Sequence, residues 1–79
     1  YDAQLGLAIS YYFNDDFKLG LETIEQYLKY VPKNGKAYFI KGSIARELNL
    51  KDLSEECFIL ARKYGYEFEE VEEFEEDEY

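Results

Sequence analysis

The sequence predicts an all-α fold, two consecutive helical hairpins followed by an acidic C-terminal segment, and three observations carry that prediction. Phe17, Leu21, Ile24, Leu28 and Val31 share one face of a helical period. Turn and stop signals punctuate the chain at Asn14-Asp15-Asp16, at Pro32 through Gly35, at Asn49 and at Gly65. The two halves also align without a gap at an offset of 34 residues: Ala3 with Ala37, Leu19 with Leu53, Glu22 with Glu56, Lys29 with Lys63 and Tyr30 with Tyr64, while Ala8 and Gly20 meet Gly42 and Ser54. Self-similarity at that period is the mark of a helix-turn-helix repeat.

The first helix is predicted over residues 3–13. Leu5, Leu7, Ala8, Ile9, Tyr11, Tyr12 and Phe13 make it apolar nearly all round, so it must be covered on two sides. Asn14-Asp15-Asp16 reads as a turn with a built-in N-cap, because a short acidic side chain there accepts from the free amides of the next helix. The second helix is predicted over 16–31 and is stopped by Pro32, which lacks the amide a helix interior needs. Lys33-Asn34-Gly35 reads as a turn, and a third helix follows over 36–48. Asn49 and Asp52 have the form of a capping pair for a fourth helix ending near Tyr64, with Gly65 as its left-handed stop. Before the tail there is no strand alternation.

Small residues at Ala8 and Gly20, bulky ones at Leu7, Tyr11, Phe17 and Ile24, and Pro32 at the end of the unit resemble the tetratricopeptide repeat family; the second unit answers with Tyr38, Gly42, Phe58 and Ala61. The resemblance covers residues 1–68 and implies a right-handed solenoid of two hairpins, 1–34 and 35–66, with 67–79 as an acidic tail or a capping helix. The chain departs from the family pattern at Gln4, Tyr27, Lys41, Ala45 and Tyr66. Tyr27 and Ala45 are expected to compensate, a large residue filling what a small one leaves. Phe17, Leu21 and Leu28 become Lys51, Glu55 and Arg62 in the second unit, so the face that would receive another hairpin is charged, as at the end of a solenoid. The array is then either two repeats long or cut at Tyr1.

Charge divides the chain sharply. Residues 1–66 hold nine acids and all nine Lys and Arg, whereas 67–79 hold the other nine acids and the whole net charge of −9. A neutral body with an acidic tail offers nucleic acid no basic patch. The lone Cys57 excludes an internal disulfide, reads as a small core hydrophobe and fits a reducing, cytoplasmic compartment. No apolar run approaches the roughly 20 residues of a membrane span, and because the chain opens at Tyr1 rather than Met, the lack of a signal peptide says little about export. There is no histidine, no phosphate loop and no nucleophile beside a base, so neither catalysis nor a cofactor is expected. The tail acids lack the spaced ligands and turn glycine of a calcium loop.

Recognition is the function left standing. In the resembled family the first helix of each hairpin lines a concave groove, which here places Leu5, Ile9, Tyr12 and Phe13, then Lys36, Phe39, Ile40, Ser43 and Arg46, on its wall. Leu7, Ala8 and Tyr11 would face the hairpin partner instead. The wall would take an apolar peptide or helix of a protein partner; the alternative is a self-association surface of a homo-oligomer. Leu5 and Ile9 stand where family members that clamp a chaperone carboxylate carry polar residues, which disfavours that activity. A stripe at Leu53, Cys57, Leu60 and Tyr64 also asks for cover. Phe68, Val71 and Phe74 supply one candidate: a solvated tail, a helix packed on that stripe, or a segment in a neighbour's groove with its glutamates meeting Lys36, Lys41 and Arg46.

Overall fold

The computed structural model describes residues 2–68. Four helices follow one another, α1 Asp2–Phe13, α2 Phe17–Tyr30, α3 Gly35–Glu47 and α4 Lys51–Lys63, and no strand occurs among the described residues. Each helix packs on the next in sequence, and α1 also touches α3. None is long and apolar enough to cross a membrane.

The links repeat with the sequence. At the end of α1 the Asp16 amide donates to the Tyr11 carbonyl at 2.8 Å, and 34 residues later the Leu50 amide donates to the Ala45 carbonyl at 2.8 Å. Both closures put the residue before the donor in the left-handed region, Asp15 at φ +63° and Asn49 at φ +64°. Asp and Asn tolerate that conformation better than other side chains, which is why they stand there. The expected N-caps are therefore corrected. Asp16 and Leu50 are the N-cap residues of α2 and α4, and neither makes a side-chain cap bond. After α4, Gly65 at φ +90° and a Tyr66 amide bonded to the Ala61 carbonyl at 2.9 Å end the helix as the sequence predicts.

Hairpin packing repeats as well. A β-carbon on Gly20 would stand 3.3 Å from Tyr11 Cβ and 3.6 Å from the Ala8 carbonyl oxygen, so α1 and α2 cross at the small residues. In the second hairpin the equivalent pair is Gly42 and Ser54, whose hydroxyl donates to the Gly42 carbonyl at 3.0 Å. A β-carbon on Gly42 would meet the Phe58 ring at 2.8 Å, and Cys57 is buried beside it. The Leu53, Cys57, Leu60 and Tyr64 stripe thus needs no tail to cover Cys57 or Tyr64: Cys57 lies against α3, Tyr64 stacks on Tyr38 at 5.7 Å, and Leu53 and Leu60 are half-buried. Lys51, Glu55 and Arg62 are exposed.

Three contacts join the hairpins across α2 and α3. A Gly20 β-carbon would approach Ile44 Cδ1 to 3.0 Å, so Gly20 lies where α1, α2 and α3 converge. Asn34, expected to be only a turn residue, caps α3 by accepting from the Ala37 amide at 3.1 Å and donates its other side-chain group to the Tyr27 hydroxyl at 2.8 Å. Lys41 Nζ lies 3.5 Å from Glu25 Oε2. Lys41 thus has a partner on α2, where the sequence pointed to the tail. Tyr27 and Ala45 are both buried, and the Tyr27 hydroxyl is satisfied by Asn34. One apolar core, including Ala8, Ile24, Leu28, Ala37, Ile40 and Ile44, runs through both hairpins.

Candidate functional site

α1 and α3 lie side by side and enclose a cleft of about 260 Å³. The helical period sets its walls. On α1, Ile9, Tyr12 and Phe13 fall on the side turned from Gly20; on α3, Lys36, Phe39, Ile40 and Ser43 recur at three- and four-residue steps. All seven were nominated from the sequence, and the structure brings them together. Leu5 and Arg46 are not in the lining. Leu5 is half-buried against the core, while the Arg46 guanidinium lies 5.9 Å from the centre of the Phe58 ring.

The α1 wall is a small aromatic stack. Tyr12 meets Phe13 edge-on at 5.3 Å and Phe17 at 5.9 Å, which fixes its ring. Phe13 is 75 % exposed, so most of its apolar surface remains for a partner. Leu7, expected to face α2, is 46 % exposed on the same helix. The first helix is thus covered on one side, where Ala8 is fully buried, and open on others.

The α3 wall is more polar. Lys36 is exposed in its first turn, and Ile40 is buried below. Ser43 is only 6 % exposed, and among the described residues no hydrogen-bond partner of its hydroxyl is found. Because Ser43 lines the cleft, its hydroxyl is placed to pair with a polar atom of an occupant.

Tyr66 completes the lining, and sequence reasoning missed it. Its ring lies 5.2 Å from that of Phe39, and Phe68 lies 4.7 Å from Phe39 and 5.4 Å from Phe58. The Arg62 guanidinium sits over Phe68 at 4.8 Å. The signal was the spacing of Tyr66 and Phe68 beyond Gly65: in extended chain, residues two apart fall on one side. Phe68 therefore rests on the cleft side of α3 in its own chain. Val71 and Phe74, grouped with it in the sequence, lie outside the described residues.

Among the described residues, the cleft lining holds no carboxylate and no cysteine. Cys57, the nucleophile with the greatest intrinsic reactivity, is 2 % exposed, and burial pushes its thiol up; Glu56 and Glu25 add to the rise while Lys41 opposes it. Burial likewise raises Tyr38, with Tyr64 and Cys57 contributing. What the site offers is aromatic and aliphatic surface, one cation and one buried hydroxyl. Comparison with models of known families, with curated protein sequences and with solved structures gave no match.

Proposed function

We propose that this chain is a protein-interaction module, two stacked hairpins of the tetratricopeptide type, whose α1–α3 cleft takes an apolar segment of a protein partner. Its role is recognition rather than catalysis, and its single buried thiol suits a reducing compartment such as the cytoplasm. The hairpin type is supported by the recurrence of link and crossing geometry at the 34-residue offset. The site is supported by one observation above the rest. Ile9, Tyr12, Phe13, Lys36, Phe39, Ile40 and Ser43, nominated from their positions in the repeat, converge on a single cleft.

At about 260 Å³ the cleft lies below the roughly 300 to 1,000 Å³ of a drug-sized ligand site, which favours side chains of a peptide over a whole small molecule. The test is to pan a random peptide library on the full chain. Enriched peptides should carry large apolar residues, and Tyr12→Ala and Phe13→Ala should each weaken them by about 1–3 kcal/mol while helicity is retained. Phe13 is the cleaner probe, because its exposure leaves it little packing to lose. Peptides that bind a Tyr12→Ala/Phe13→Ala double variant as tightly as the parent overturn the site. Self-association is the second reading, favoured by the exposure of Leu7 and Phe13 on one helix. Light scattering over a range of concentrations decides it: a mass that stays at one chain removes it.

A further inference from the structure

We propose that residues 69–79 of this chain occupy the α1–α3 cleft in cis, so that the segment is a built-in competitor of whatever partner the cleft takes.

The chain already heads toward the cleft. Gly65 turns the chain back at the end of α4, and the next residues run over α3 rather than away from the bundle: Tyr66 lines the cleft, and Phe68 is seated on Phe39, which also lines it. The segment therefore starts at the cleft's rim. Reach is no obstacle. Eleven residues span up to about 36–40 Å when extended, close to the 41 Å longest dimension of the described body, and the cleft adjoins the starting point.

The segment's composition also complements the cleft. The segment reads Glu-Glu-Val-Glu-Glu-Phe-Glu-Glu-Asp-Glu-Tyr, with Val71 and Phe74 continuing the three-residue spacing begun at Phe68. Val71 and Phe74 match the aromatic and aliphatic walls; the acids on either side meet Lys36 at the mouth, with Arg46 farther along the same helix. The body as a whole is formally neutral, so only this local pairing of cations with acids selects the α3 side. A backbone crossing the cleft also supplies the polar atom that Ser43 lacks among the described residues. Occupation of the cleft by the segment needs no partner to exist; its competition with one rests on the proposed function.

The test uses the full chain alone. With isotope-labelled protein, cross-relaxation peaks are expected between Phe74 ring protons and the δ1 methyls of Ile9 and Ile40. They should be absent from an isotope-filtered sample mixing labelled with unlabelled chains. A Val71→Ser/Phe74→Ser variant should shift both methyls. If the segment fills the cleft about nine-tenths of the time, that variant should bind panned peptides about tenfold more tightly. Peaks that appear in the filtered sample assign the cleft to a second copy and overturn the inference. Methyls that do not move on substitution, with no peaks in the parent, overturn it by leaving the cleft to an outside partner. Failure of every peptide to bind either protein, with the intramolecular peaks present, removes the proposed function and the competition with it, and leaves occupation of the cleft in cis standing.

Discussion

Asn34 concentrates two tasks in one side chain at the joint between the hairpins: its carbonyl oxygen caps α3, and its amide group donates to the buried Tyr27 hydroxyl. Replacing it by Ala removes a cap and leaves the Tyr27 hydroxyl without a donor, so a loss of about 2–3 kcal/mol is expected in denaturant unfolding. Asn34→Asp keeps the cap but not the amide donor, and should fall between parent and Ala. Equal stability of Asp and parent would show that the Tyr27 contact contributes nothing. Cys57 sets the alkaline behaviour. Its folded thiol is raised by burial, so above the ordinary thiol value of about 8.5 the unfolded chain loses a proton that the folded chain keeps. The neutral buried thiol's stabilisation is then full below about pH 8.5 and declines as pH rises. Melting temperature should drop from pH 7.5 to 9.5 in the parent and drop less in Cys57→Ala. Parallel slopes would remove the thiol as the cause.

At the scale of the element, the helices were legible because periodicity and punctuation agree: α2 begins and ends within a residue of the sequence reading, and Gly65 stops α4. The links were misread for a physical reason. Asp and Asn serve equally as N-caps and as left-handed C-terminal residues, and a single sequence shows which residue is present, not which φ it adopts. The repeat itself resolves the ambiguity, since Asp15 and Asn49 stand at equivalent positions with φ of +63° and +64°. Asn49→Thr separates the two roles. Threonine caps well but resists the left-handed region, so the substitution should cost about 1–2 kcal/mol, whereas a true N-cap would lose only a few tenths. Lys41 was illegible for a related reason: its partner Glu25 sits on another helix, and no spacing along one helix exposes a pair between two. Most of the cleft could be read, because its residues follow one face of two helices. The spacing of Tyr66 and Phe68 puts them on one side of an extended segment, but nothing along the chain fixes the direction that segment takes beyond Gly65.

The described residues form two helical hairpins related by the 34-residue offset, fewer than the three or so units that repeat architectures need when each unit closes only part of its core. Here the units share their core instead of adding one to another. Ile44 of α3 is fully buried, and its Cδ1 reaches within 3.0 Å of where a Gly20 side chain would begin, at the convergence of α1, α2 and α3. Ile24 and Leu28 of α2 belong to the same core as Ala37 and Ile40 of α3. If stability were a sum of separate hairpins, damage at Ile44 would loosen its own hairpin and leave α1 and α2 standing. The shared core requires the opposite. Ile44→Ala removes a fully buried side chain and should cost about 2–5 kcal/mol, with the loss felt across the four helices as one transition. Amide hydrogen exchange reads this directly: the slowest amides of α2 and of α4 should accelerate by the same factor in the variant. Protection kept in α2 while α4 accelerates would make the hairpins independent folding units, and the cleft between α1 and α3 would then open and close with their docking rather than stand as a fixed surface.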